Sequence, residues 1–477
     1  MNSNDLYMLG STGDHAGSHG YSDRIEPTPV GSNVMLQFHI LSFEGPDGYA
    51  RAGGIASRVT GLAQTLGASG FETHVWFVGD PSLPGHESDG NLHLHRWCQW
   101  ISAHHAGGVY DGEFPKADDY ASSLPPYMVR EHIFEHIRKG GRVAILAEEW
   151  HTVHAVLHLH WLLCRIGMRD RVHILWNANN TFGFHLIDWA KLDQAATITT
   201  VSRYMKYRMR PLGVDPLVIP NGLESDAFAT PDRGAVIDLH ERFEDRPLLV
   251  KMARFDPDKR WMLAMDTIAE LKRRGRRPLL VARGGLEAHG AEVLARARSY
   301  GLRISTRKLP VPGPQGLLSA LQDTSNADII QLDSHVDTAA RRVLFRSARA
   351  VLANSGHEPF GLVGLEVMAA GGVACTGCSG EDYAVPGQNA LVLETDDPQE
   401  FVQLFERMNP LDEQAMRIAG RQTAQQYAWD RVVDRALLPR VDSSVRSVLP
   451  LPQRQLSLIT SVDEESANRR EQLRHTA

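Results

Sequence analysis

Val351-Leu-Ala-Asn-Ser-Gly-His-Glu-Pro-Phe-Gly-Leu-Val-Gly-Leu-Glu-Val-Met-Ala-Ala-Gly-Gly-Val-Ala-Cys375 reads as an apolar strand, a proline-bearing turn, a helix and a second apolar strand in one run. Pro359 keeps Glu358 out of helical geometry, because the residue before a proline is pushed toward an extended conformation. The helix therefore begins near Gly361. Its first N–H groups have no partner within the helix and carry the positive end of the dipole, which suits a phosphate or a sugar hydroxyl. Glu358 sits at the mouth of that end and Glu366 further along, in the helix itself. Both can face one elongated ligand, since carboxylates accept hydrogen bonds from the vicinal hydroxyls of a ribose or hexose. Two glutamates at this spacing are by themselves more often solvated helix residues. Pro-Phe-Gly, Met-Ala-Ala-Gly and the preceding strand turn the balance toward a site.

The same alternation extends outward from this unit in both directions. On the C-terminal side of a polar stretch, Ser225 to Arg246, strands are expected at 248–253, 279–282, 328–332, 351–353, 373–375 and 391–393, with helices at 261–273 and 399–408. On the N-terminal side they are expected at 34–40, 73–78, 91–97, 143–146, 172–175, 198–201 and 217–219. Gly53-Gly54 opens a helix whose Ile55, Val59, Leu62 and Leu66 follow helical spacing. Residues 103–126 read as a long loop, and loops of that length inside a domain are usually functional or mobile. Strands alternating with helices imply parallel sheets covered on both faces. The expected fold is α/β: two doubly wound domains, 34–225 and 226–442, with a ligand in the cleft between them. The segments 1–33 and 443–477 are polar, without sustained periodicity, and are expected to be poorly ordered tails.

Composition narrows the function classes. The 477 residues exceed one hydrophobic core, and a net charge of -7 argues against a nucleic-acid binder. No apolar run reaches the roughly 18 to 20 residues of a membrane span. Four cysteines, Cys98, Cys164, Cys375 and Cys378, are too few for a disulfide scaffold and suit a reducing, cytoplasmic setting.

The segment Val351 to Gly372 resembles the nucleotide-sugar signature of the retaining glycosyltransferases of family four, whose architecture is the GT-B fold of two facing Rossmann-like domains. Other motifs occur in the order of that family. Ala50-Arg-Ala-Gly-Gly-Ile55 is similar to its N-terminal glycine loop, and Val201-Ser202 and Val218-Ile-Pro-Asn-Gly222 to the end of its first domain. Lys251-Met-Ala-Arg-Phe-Asp-Pro-Asp-Lys259 is similar to its phosphate-binding strand and turn. The resemblance covers about residues 34 to 435. It implies transfer of a hexose from a nucleotide diphosphate sugar to an acceptor hydroxyl, with no cofactor and no metal. Arg254 and Lys259 would then bind the diphosphate, where fixed cations stabilise the charge of the leaving group. Gly53 and Gly54 would let backbone approach the phosphates. Glu366 would hold the ribose and Glu358 the transferred sugar, with the amides of Phe360, Gly361 and Leu362 completing the pocket. A sugar phosphorylase and a non-catalytic nucleotide-sugar sensor are the alternatives on this fold.

The acceptor side departs from the family. Trp176 falls where many relatives carry a histidine near the donor sugar, with His173 and His185 nearby, and Glu148-Glu-Trp-His151 stands where some have His-Asp-Trp. Three other patterns carry less weight. Cys375-Thr-Gly-Cys378 lacks further ligands for zinc and reads as small buried residues at a strand end. His151, His154, His158 and His160 crowd one helix without the H-E-x-x-H spacing of a zinc protease. Asp256-Pro-Asp258 imitates a metal-binding D-x-D inside the phosphate turn.

Overall fold

A computed structural model of the chain describes residues 35–441. The two tails expected at 1–33 and 443–477 lie outside the described residues. Two sheets organise the rest. The first contains β1 (Leu36–Leu41), β2 (Glu72–Val78), β3 (His86–Asp89), β4 (Leu92–Trp97), β5 (Arg142–Glu148), β6 (Val172–Ala178), β7 (Thr197–Thr200) and β8 (Leu217–Val218), in the order β3-β4-β2-β1-β5-β6-β7-β8. The second contains β9 (Leu248–Met252), β10 (Leu279–Arg283), β11 (Ile304–Arg307), β12 (Ile329–Leu332), β13 (Ala350–Leu352), β14 (Ala374–Thr376) and β15 (Leu391–Val392), in the order β11-β12-β10-β9-β13-β14-β15. Every pairing is parallel except β3 with β4, a hairpin turned at Gly90, whose φ is +57°. In each sheet the first strand lies inside, so the strand order reverses beside β1 and beside β9. Such switch points open a crevice beyond the carboxyl ends of the strands.

Alternation along the strands divides each sheet between two cores. Phe38 and Ile40 of β1 face the helix Gly54–Ala68, meeting its buried Val59, Leu62 and Leu66, while Leu41 faces the helices of the opposite layer. The expected boundary at 442 is not a simple cut. Trp429, Val433, Leu437 and Leu438, at the end of the chain's described part, pack into the core of the first sheet. A Cβ on Gly61 or on Gly222 would collide with the Trp429 indole, so both positions need a residue without a side chain.

The expected loop at 103–126 is largely helical, over Glu113–Met128. Tyr120, Leu124 and Met128 bury one face at four-residue spacing, and tertiary packing overrides the prolines Pro125 and Pro126. Val129–Ile133 follows as a π-helical turn. Beneath it, His39, His74 and His95 on the first sheet are kept neutral by burial, which lowers His74 to about 4 and His95 to about 2.

Candidate active site

The carboxyl ends of β1, β5 and β6 face those of β9 and β13 across a cavity of about 800 Å3. Its walls include Gly53, Gly54, Arg254, Lys259, Glu358, Phe360, Gly361 and Leu362, eight of the nine residues singled out from sequence. The ninth, Glu366, lines an adjoining cavity of about 220 Å3 with Arg283, His335 and Arg341. Met252, Ala253, Arg254 and Val363 belong to both walls, so the two spaces meet at Arg254.

Local chemistry explains the C-terminal wall. Gly361 has φ +77° and precedes the helix Leu362–Ala369; a side chain there would strike Glu381, and one at Gly364 would strike Tyr383. The Tyr383 hydroxyl donates to the Gly361 carbonyl and fixes the turn. The Glu358 amide donates to Ser379 Oγ at 2.8 Å. The Glu358 carboxylate accepts from Lys259 Nζ at 2.6 Å, so the two groups assigned to sugar and diphosphate pair with each other. The side chains are 24% and 21% exposed, so solvent reaches the pair and it can re-sort around a ligand. Glu366 lies 3.5 Å from Arg341 Nη2, and burial raises its carboxyl above the ordinary range.

Asp256 and Asp258 have structural partners. Asp256 accepts from the Asp258 amide at 2.9 Å, capping the short turn Pro257–Lys259, and Asp258 accepts from the His357 amide at 3.0 Å. The D-x-D thus ties the phosphate turn to the Glu358 segment. Lys251, a member of the same motif that sequence reasoning did not assign, is fully buried and lines the larger cavity. Its ammonium donates to the Leu352 carbonyl at 3.1 Å, and burial brings it down to about 7. Burial likewise pushes Glu381 up to about 7.

The N-terminal wall is built from acidic and aromatic residues. Glu44, at the end of β1, accepts from the amides of Gly53 at 2.9 Å and Ala56 at 3.1 Å, and from the Tyr110 hydroxyl at 2.6 Å. The expected approach of phosphates to Gly53 is therefore altered: its amide is already taken by a carboxylate, which the helix N-terminus stabilises. Among the described residues, no atom lies within 4 Å of where a Gly54 side chain would begin, and at Gly53 the nearest is Glu44 at 4.0 Å. Internal packing alone does not require glycine at either position.

Glu148 and Glu149 diverge sharply. Glu148 is buried against Arg58 at 3.0 Å and accepts from Asn177 and Asn179, while Arg58 also reaches Asn221 at 2.8 Å. Glu149 has φ +67°, strained for a residue with a side chain, and its carboxyl accepts from the Asn179 amide at 2.7 Å in the cavity wall. Burial pushes it up to about 8. Trp176 is buried and donates to the Glu149 carbonyl at 3.0 Å, so it supports this backbone from below. His173 and His185 are absent from the cavity wall, whereas His151 is in it, stacked on Trp150 at 4.0 Å and paired with Glu113 at 2.7 Å. His158 and His160, which share its helical region, have separate partners in the Ala121 carbonyl and Arg169. All four cysteines are free, with Cys375 buried and Cys378 exposed.

The two walls touch directly. Ser202 Oγ donates to the Pro359 carbonyl at 2.5 Å, and the Arg203 amide to Asp382 at 2.7 Å. Val201-Ser202, read as a domain-end motif, thus abuts the residue after Glu358.

Residues 52–227 match the family model described as Glycosyltransferase Family 4. No curated protein matches the sequence. Among solved structures, a sucrose-phosphate synthase from Thermosynechococcus elongatus is similar at TM-score 0.53 and 17% identity, over 83% of this chain and 96% of that one. A UDP-forming alpha,alpha-trehalose-phosphate synthase from Burkholderia xenovorans gives 0.56 and 13%, over 86% and 100%. The catalytic domain of starch synthase IV from Arabidopsis thaliana, bound to ADP and acarbose, gives 0.54 and 15%, over 85% and 100%. These likenesses identify the architecture as the GT-B fold expected from the sequence. Among the described residues, no helix is long and apolar enough to cross a membrane.

Proposed function

We infer that this chain, a GT-B glycosyltransferase whose residues 52–227 belong to Glycosyltransferase Family 4, moves a hexose from a nucleotide diphosphate sugar to an acceptor hydroxyl with retention of configuration. The observation that carries the reading is the pair of cavities joined at Arg254. The smaller one, with Glu366, has room for a nucleoside and a carboxylate for its ribose; the larger one, with Glu358 and Lys259, has room for the sugar and the acceptor. A phosphorylase has no use for the smaller space.

In this reading, the diphosphate lies between Arg254 and Lys259. Both cations are in place before the bond breaks, so they stabilise the developing charge without reorganising. Glu358, released from Lys259, accepts from a sugar hydroxyl. Retention requires the acceptor to enter on the face from which the diphosphate leaves, and a donor phosphate oxygen can take its proton. Two lysine or arginine charges at the diphosphate also remove the need for a metal in that role. The acceptor lies against Glu44, Glu113, Glu149, Tyr110 and His151, a wall without a lysine or arginine. A phosphorylated acceptor would meet carboxylates there, so the acceptor is an uncharged or amino-bearing polyol. Four free cysteines fit a reducing compartment such as the cytoplasm.

Proton NMR of the first product from an α-linked donor tests the mechanism: an α anomeric coupling is expected, and a β product overturns it. A thermal-shift screen of nucleotide diphosphates and their sugars should raise the melting temperature and identify the base. Activity should survive a chelator; loss restored by magnesium or manganese would return Asp256 and Asp258 to consideration as ligands.

A further inference from the structure

Away from the cleft, the first sheet carries a row of histidines. His39 on β1 stands in register with His74 on β2, and His74 with His93 on β4. Residues two apart share a face of a strand, so Glu72, His74 and Trp76 project together, as do His93 and His95. The rings stack at 4.8 Å for His39 on His74 and 4.7 Å for His74 on His93.

The proton positions in this row follow from one donor. An indole N–H can only donate, and Trp76 Nε1 donates to His39 Nδ1 at 3.0 Å. In the neutral ring His39 Nε2 then holds the proton and donates to Gln37 Oε1 at 3.0 Å. That fixes the Gln37 amide, whose Nε2 donates to His74 Nε2 at 3.3 Å. His74 Nε2 is therefore the lone-pair nitrogen, and His74 Nδ1 donates to His95 Nε2 at 2.9 Å. Yet Glu72 Oε1 lies 3.2 Å from His74 Nε2. The Gln37 amide thus serves both the His74 lone pair and the Glu72 carboxylate, and a cation that displaced it would take both groups as ligands.

His93 completes the geometry. One ligand atom each from Glu72, His74 and His93 lie within 4.8 Å of one another, the one such group of three among the described residues. His93 Nδ1 is engaged by Ser88 Oγ at 2.8 Å, which leaves Nε2 for a ligand. Two imidazoles and one carboxylate form a common zinc ligand set that keeps a further position open. Outer partners that hold the second nitrogen of each ring orient it for a metal, and here they are His95 and Ser88. Glu72 is half-exposed and gives the ion a way in from solvent.

We propose that Glu72, His74 and His93 bind a zinc-class divalent cation on the first sheet, outside the interdomain cleft. The site lines neither cavity of the proposed active site, and its test does not depend on the transfer reaction.

The test uses the full chain without an affinity tag, stripped by chelator and dialysed. Zinc is titrated calorimetrically, and cobalt by its visible absorption. Binding of one ion per chain is expected, with a cobalt spectrum of low-symmetry coordination and a zinc-dependent rise in melting temperature. Glu72→Gln alters an exposed side chain and His93→Asn a partly buried one at the sheet surface, and both should leave the metal-free chain folded, as its metal-free melting temperature will show. Each should weaken zinc by more than the roughly 100-fold that loss of an outer partner can cost. No stoichiometric zinc in the parent chain overturns the proposal. So does undiminished binding in both variants, which would place the ion elsewhere, for example at His154 and His158.

Discussion

The C-terminal wall of the cleft presents Lys251, Arg254 and Lys259, while the N-terminal wall presents Glu44, Glu113 and Glu149. The first gathers its groups from β9 and the short turn after it, which Asp256 and Asp258 tie to the segment after β13. The second draws them from the ends of β1 and β5 and from the distant helix Glu113–Met128. A leaving diphosphate needs fixed positive charge whatever the acceptor is, so one wall is bound to a constant task. In the proposed reading the other wall, acidic and aromatic, meets the acceptor. In the proposed reading the cleft thus divides the donor's requirement from the acceptor's along its two sides.

The sharpest way to break this division is to remove the constant task. Lys259→Ala should lower kcat/KM by about 100- to 1,000-fold, the effect of losing one preorganised group at a developing charge. Steady-state kinetics would show it, and a loss below tenfold would mean that the cation wall is not what stabilises the leaving group. Next in size, Glu366→Ala should weaken nucleotide binding by about 10- to 100-fold, as expected for a lost hydrogen bond to a charged group. Calorimetry with the nucleoside diphosphate measures it, and kcat at saturating donor should change little.

The opposite wall is tested by pH. Glu149 stays protonated to about pH 8 and can donate to an acceptor oxygen. Acceptor KM should therefore rise as pH passes through about 8, and Glu149→Gln, which keeps a donor, should flatten that rise. The sign for stability is the same. Between the ordinary carboxyl value of 4.5 and about 8 the folded chain holds a proton that the unfolded chain has lost, so this group lowers stability as pH increases across that window. Glu149→Gln should remove that slope from melting temperatures. The smallest effect belongs to Asp256→Ala, the loss of a cap, at about 1 kcal/mol in chemical denaturation and without new metal dependence.

What the sequence made legible follows the same line. The Glu358–Glu366 helix, the Arg254–Lys259 turn and Gly53-Gly54 are each contiguous, so spacing and a proline or glycine sufficed to find them. Glu44, Tyr110, Glu113, Glu149 and His151 meet only through tertiary folding, and the positive φ of Glu149 has no local signal. The helix Glu113–Met128 was hidden by its own prolines and read as loop. β3 and β11 were missed because His86–Asp89 is wholly exposed and Ile304–Arg307 has one aliphatic residue. The histidine row was invisible for a further reason: its members come from separate strands, and only their register aligns them.

Trp429 bears on the order of events during synthesis. It enters between Gly61 and Gly222 and is followed by Val433, Leu437 and Leu438 on the same core as Phe38 and Ile40. The first sheet is translated early, but the side chains that cover this part of its apolar face emerge only after the whole second sheet. A nascent chain halted before Trp429 would hold that face open, a state prone to aggregation. A chain cut before Trp429 thus loses the seal of its first sheet even when every residue of the proposed donor wall has been made.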